Sequence, residues 1–279
     1  MKKNLVLRII AAIAAFAIIA FLFSLFNSFM GNPISSANAT SKIKKYVKEN
    51  YPDQDFEISS AKYNFKDASY FSIVQSKTSQ DTHFTVNYSR GRIFDEYEFY
   101  VENRYTTYDR LQKEFSTVVE DIINKEFPYK TSILYADLGK GEEEMKSLTL
   151  DMELDIHNPP VTTGLTIYIL NEDTSYEFLC ARLLELDQIM EQHDIPIDIY
   201  NVVVEQPIPG EEKSDPKGSD NHLYDFPAEL IDADNLIEVI REHQKKWEEE
   251  GYKEKEAEME QSKILYGEDE EQNIEGASN

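Results

Sequence analysis

The sequence predicts an α+β protein: an N-terminal transmembrane helix, then two small units with antiparallel sheets in the orders α-β-β-β and α-β-β-β-α-β, then an acidic helical or disordered tail. Three observations predict it. Residues 9–26 read IIAAIAAFAIIAFLFSLF without a charge. Short β-rich runs come in two groups, each behind a stretch with helical periodicity. Beyond Trp247 the apolar stripe fades while Glu248, Glu249, Glu250, Glu254, Glu256, Glu258 and Glu260 accumulate. The expected division is a basic flank (1–8), an anchor (9–29), a linker (30–40), a first unit (41–95), a second unit (96–206), a Pro/Gly linker (207–230) and an acidic helix with its tail (231–279).

At about 1.5 Å per residue the charge-free run is about 27 Å long, close to the thickness of bilayer hydrocarbon. Lys2, Lys3 and Arg8 precede it, and basic residues on a short flank are retained in the cytoplasm. The expectation is a single-pass protein of the cell membrane, N-terminus inside and ectodomain outside. Lys42, Lys44, Lys45 and Lys48 argue the other way but stand behind a polar spacer. Ala37-Asn38-Ala39 has the small-x-small pattern of a cleavage site, yet lies well past the apolar run, so the segment reads as a retained anchor.

Composition narrows the function classes. A formal net charge of −25 excludes the basic surface that nucleic-acid binding requires. The 17 tyrosines and 15 phenylalanines suffice for a packed core. Cys180 is the single cysteine, so no intramolecular disulfide forms.

Along the chain, residues 37–50 carry Ile43, Tyr46 and Val47 at helical spacing, and Pro52 ends that helix. Runs 56–65, 70–75 and 83–88 read as strands. One long helix is expected from the segment YEFYVENRYTTYDRLQKEF onward, with Val101, Tyr108, Leu111, Phe115, Val118 and Ile122 on its apolar stripe. Strands follow at 133–138, 148–157 and 165–170, then a helix over 175–193 and a strand over 199–205. Pro207, Pro209, Gly210, Pro216, Gly218 and Pro227 mark a linker.

The segments KIKKYVKENYPDQDFEI, YFSIVQSK, HFTVNY and FDEYEFYVENRYTTYDRLQKEF, in this order behind a membrane helix, resemble the YfjL-like family of single-span proteins of Gram-positive Bacillota. The resemblance covers residues 1–206 and implies a two-unit ectodomain without assigning chemistry. In helix-to-strand order the first unit is also similar to PepSY-type modules, which implies binding or restraint of a partner protein.

The candidate sites are few. Over 148–157 Leu148, Leu150, Met152, Leu154 and Ile156 alternate with Asp151, Glu153, Asp155 and His157, the pattern of a half-buried strand with a wet face. Strand period alone puts these carboxylates about 6.6 Å apart, so their spacing is no sign of catalysis. A calcium contact is the alternative. His83, His157, His193, His222 and His243 form no ligand-spaced pair. Cys180 lies on an apolar helix face, Gly139-Lys140-Gly141 is a turn, and Asp215, Asp220 and Asp225 lack EF-hand spacing.

The expectation is therefore a non-enzymatic module with no catalytic, cofactor-binding or metal-ligating residues and no cofactor. Its partners are the membrane, through the N-terminal helix, and a protein or cell-envelope component. Tyr97, Tyr100, Tyr105 and Tyr108 are the expected interface, because they exceed what one helical stripe can bury. The competing reading is that these rings fill the seam between the units. The alternative function is a cation-assisted glycan-binding or glycan-cleaving ectodomain using the acidic strand.

Overall fold

The computed structural model describes residues 2–266, with side chains over 8–251. Met1 and the end of the acidic tail, 267–279, lie outside the described residues, as do the side chains of Lys2 and Lys3 in the basic flank. α1 (Lys2–Met30) exposes its apolar side chains along its whole described length. It is long and apolar enough to cross a membrane, and among the described residues no protein layer covers its apolar run.

The polar stretch expected as a linker over 30–40 is mostly helix. Gly31, at φ +73°, ends α1, and Asn32 starts α2 (Pro33–Asn50) by accepting from the N–H groups of Ile34 at 2.8 Å and Ser35 at 3.3 Å. Pro33 sits where a missing N–H costs nothing. Hydroxyls that suggest a loop in sequence are used here instead: Thr40 donates to the Ser36 carbonyl and Ser36 to that of Ala61.

Two compact units follow the chain in an interleaved way, one comprising Met1–Arg110 with Gly141–Glu153, the other Leu111–Lys140 with Leu154–Asn279. The sequence places the division at 95/96, with no return of a later segment. Helical periodicity runs through residue 110 and so hides the boundary.

In the first unit β1 (Phe56–Ile58), β2 (Lys62–Asn64), β3 (Ser69–Ser76), β4 (His83–Ser89) and β5 (Arg92–Asp95) form an antiparallel sheet. β1 and β2 pair with opposite ends of β3, so the run 56–65 is two strands rather than one. Ser59 interrupts it by bonding Ile73 through both backbone and hydroxyl. β5 escapes sequence reading because Arg90 and Gly91, at φ +49° and +84°, turn the chain within two residues. Ala39, Ile43 and Val47, one turn apart on α2, cover Val74, Phe84 and Val86.

The second unit is built on β6 (Thr131–Leu138), β7 (Thr163–Leu170), β8 (Ile199–Glu205) and β9 (Asp220–Pro227), in that spatial order. β7 and β8 are parallel and the other pairs antiparallel, so the second sheet is mixed where an antiparallel one is expected. The parallel pair needs a crossover, and α5 (Tyr176–Gln192) supplies it between Ser175 as N-cap and His193 as C-cap. Leu179, Leu183 and Leu186 are buried on α5, as are Leu165, Ile167 and Ile169 on β7.

β9 lies inside the stretch expected as a linker over 207–230. Its Asn221, Leu223 and Phe226 are buried, but the flanking prolines and aspartates mask that pattern. α6 (Leu236–Tyr266) packs on it through Ile240, His243 and Gln244.

The expected strand at 148–157 is not formed. β6 pairs directly with β7, and between them the chain makes α4 (Glu142–Ser147) and an irregular segment. Asp151 has φ +61°, outside any strand conformation. The inside–outside alternation nonetheless survives: Leu148 is buried, Leu150, Met152, Leu154 and Ile156 are partly buried, and Asp151, Glu153, Asp155 and His157 are exposed.

Candidate functional site

The helix expected to start near residue 97 is interrupted. Glu98–Glu102 is a π-helical turn in which the Asn103 N–H donates to the Glu98 carbonyl at 2.8 Å, and Arg104 at φ +63° reverses the chain before α3 (Tyr105–Glu126). The Arg104 guanidinium folds back to donate to the carbonyls of Val101 (2.6 Å) and Glu102 (3.0 Å), which braces the break.

This break has a consequence for the aromatic side chains. Six residues apart on a straight α-helix, positions 99 and 105 would point about 120° apart. Here the Phe99 and Tyr105 rings lie 4.8 Å apart at 31°, with Tyr100 edge-on to both at 5.0 and 5.8 Å. Phe99 remains 52% and Tyr105 38% exposed. They form one side of an open cavity of ≈ 580 Å³, and Glu142, Met145 and Lys146 of α4 form the other. Glu102 and Glu142 balance Arg104 and Lys146 around it, so the cavity has no net charge and offers mainly ring faces and a thioether.

What holds the α4 side in place is a charge cluster. Asp81 is 1% exposed, and Arg110 grips its carboxylate bidentately, Nε to Oδ1 and Nη2 to Oδ2, both at 2.8 Å. Asp81 and Asp151 bond each other reciprocally: the Asp81 N–H donates to Asp151 Oδ1 at 3.0 Å, and the Asp151 N–H to Asp81 Oδ2 at 2.8 Å. Arg110 also donates to the Met152 carbonyl at 2.7 Å, and Thr106 to the Asp81 carbonyl at 2.5 Å. Burial by itself would raise the Asp81 carboxyl, but Arg110 and the Asp151 N–H outweigh it and hold it below the usual carboxylate range.

The expected interface tyrosines separate into two kinds. Tyr97 packs into the first core, 4.8 Å from the Tyr51 ring and 5.1 Å from that of Phe84, and Tyr108 is buried. Tyr100 is half-buried against that core, and Tyr105 is exposed in the cavity. Phe99 was missed as a candidate. It falls off the helical stripe, and that position opposite Val101 was the one available signal. The stripe itself also shifts: Val119 and Ile123 are buried, whereas Val118 is exposed and Ile122 only partly covered.

Asp151, Glu153 and Asp155 do not form a ladder, since the strand that would align them is absent and Asp151 is engaged with Asp81. Cys180 is buried in α5, which pushes its thiol pKa up. His83 and His157 meet the carbonyls of Gln80 (3.0 Å) and Asp194 (2.8 Å), and His193 meets Glu126 at 2.7 Å.

Two family models match the sequence: the YfjL-like, N-terminal domain over residues 6–103 and the YfjL-like C-terminal domain over 114–241. Nothing among curated proteins or solved structures matches it. The first match takes in most of the apolar helix, the two together cover most of residues 6–241, and the chain belongs to the YfjL-like family.

Proposed function

We propose that this chain is a membrane-anchored, non-enzymatic binding module whose ectodomain lies outside the cell and takes a protein partner in the Phe99–Tyr105 cavity. The observation that carries the reading is the exposed ring pair over a cavity whose lining charges balance. Two rings kept in water at a built concave surface, rather than turned into the neighbouring core, suit an apolar or aromatic anchor side chain of a partner. The π-turn and the left-handed Arg104 that create it are the kind of local strain that persists where a surface has a task. Lys2, Lys3 and Arg8, ahead of the charge-free run, support the outward orientation. The acidic balance of the whole chain favours protein over nucleic acid.

The glycan reading loses its motive with the acidic ladder dispersed. Binding is tested by capture of cross-linked partners from intact cells. Phe99→Ala and Tyr105→Ala should lower recovery with an unchanged melting temperature, because exposed side chains contribute within about 0.5 kcal/mol to stability. Tyr97→Ala should lower the melting temperature first, at a cost of about 2–4 kcal/mol. Turnover of a glycan or peptide by the purified ectodomain, with no partner captured, would overturn the proposal.

A further inference from the structure

Where α1 ends, the chain is bound closely to β2 and β3. A Cβ on Gly31 would lie 2.5 Å from the Tyr63 Cβ, so the helix end approaches β2 as nearly as a backbone can. The Asn32 N–H donates to the Tyr70 hydroxyl at 2.9 Å, and the Tyr63 and Tyr70 rings lie 5.1 Å apart beside this exit. The Phe29 and Phe65 rings lie 6.1 Å apart, which fixes the β2–β3 turn at the level of the last residues of α1. Phe65 is 56% exposed at the tip of that turn, with Ile34 and Met30 exposed nearby in sequence to α1's end and Lys62 and Lys66 exposed around the tip. An open space of ≈ 680 Å³ separates Phe23, Phe26 and Met30 from Lys62, Tyr63 and Tyr70.

We infer that the β2–β3 hairpin is a second membrane contact, with Phe65 seated in the interface of the leaflet from which α1 emerges. The inference rests on α1 spanning the bilayer. Given that, an exposed apolar ring tied to Phe29 stands at the depth where hydrocarbon gives way to headgroups. Around it stand tyrosines with an apolar body and a polar tip and lysines whose ammonium groups reach the phosphates, while Asp67, the exposed carboxylate of the turn, accepts from the Ser69 hydroxyl. The exposed apolar surface of α1 meets the hairpin at the Phe29–Phe65 contact, and the open space beside that contact faces the same lipid. The first unit is then held against the membrane at a fixed tilt rather than swinging on a tether.

The test uses full-length protein in phosphatidylcholine–phosphatidylglycerol vesicles whose acyl chains carry bromine near the headgroup. Trp247 is the single tryptophan, so the unsubstituted protein is the blank. Phe65→Trp should add emission that brominated lipid largely quenches. Gln80→Trp, in the turn beyond the other end of β3 and about 25 Å away at ~3.3 Å per strand residue, should add emission that survives. Phe16→Trp, near the middle of the charge-free run, reports on the span itself in matched vesicles whose acyl chains carry bromine near their ends. If Phe16→Trp is quenched and Phe65→Trp is not, the hairpin inference is wrong while the anchor stands. If neither is quenched, the anchor reading fails and takes the inference with it.

Discussion

Asp81 illustrates how far a single residue escapes sequence reading. In sequence it is the last residue of a polar turn, Lys77 to Asp81, and turns are ordinarily wet. In the fold it is buried because Arg110, from a helix that begins 24 positions later at Tyr105, and Asp151 converge on it. Replacing Asp81 with alanine leaves the Arg110 guanidinium without its carboxylate and frees the Asp151 N–H, and breaking such a pair costs about 3–5 kcal/mol. Thermal melts of Asp81→Ala should show that loss. The pH dependence has a definite sign. Since the folded carboxyl titrates below its unfolded value, the unfolded chain binds the extra proton. The contribution is complete above about pH 4 and disappears as pH falls through the folded value. Asp81→Ala should therefore flatten part of the acid limb of the stability profile, and an unchanged limb would show that the cluster is not a stabilising unit.

At the scale of elements, what could be read from sequence was periodicity, and what could not was chain direction. The caps of α5, Ser175 and His193, and the interior of β7 follow from local pattern, and the structure places them there. The segment from Leu148 to His157 shows the limit. Its two-residue alternation correctly divides buried from exposed side chains, but a segment anchored at intervals to a neighbouring surface alternates as a strand does, without a ladder. Asp151 in the left-handed region is the residue that decides against a strand, and no sequence rule predicts φ > 0 there. Leu150 packs against the first core and Glu153 is exposed. Leu150→Asp should cost several kcal/mol by urea denaturation, of the order of burying an unpaired charge. Glu153→Gln should leave both stability and partner recovery within error; loss of function in a folded Glu153→Gln protein would restore the case for the acidic segment. β9 was hidden for a related reason, because prolines on both sides outweigh the Asn221, Leu223 and Phe226 pattern that pairing with β8 reveals.

For the molecule as a whole, a helix long and apolar enough to cross a membrane was legible from its eighteen charge-free residues, and the candidate cavity was not, because it depends on a helix break. Tyr105 was identified, but its companion Phe99 is brought to it only by the π-turn at Glu98–Glu102. Orientation has a direct check. External protease on intact protoplasts should remove the chain beyond Asn32 and spare the anchor, whereas protection until lysis would place the ectodomain inside. The binding claim is tested most directly by a photo-cross-linking phenylalanine analogue placed in turn at two sites of the first unit in intact cells. Phe99 and Phe94 are equally exposed, each at 52%, so accessibility alone gives equal adducts. The account predicts one discrete protein adduct from position 99 and none from position 94; equal labelling at both, or no adduct at 99, would contradict it.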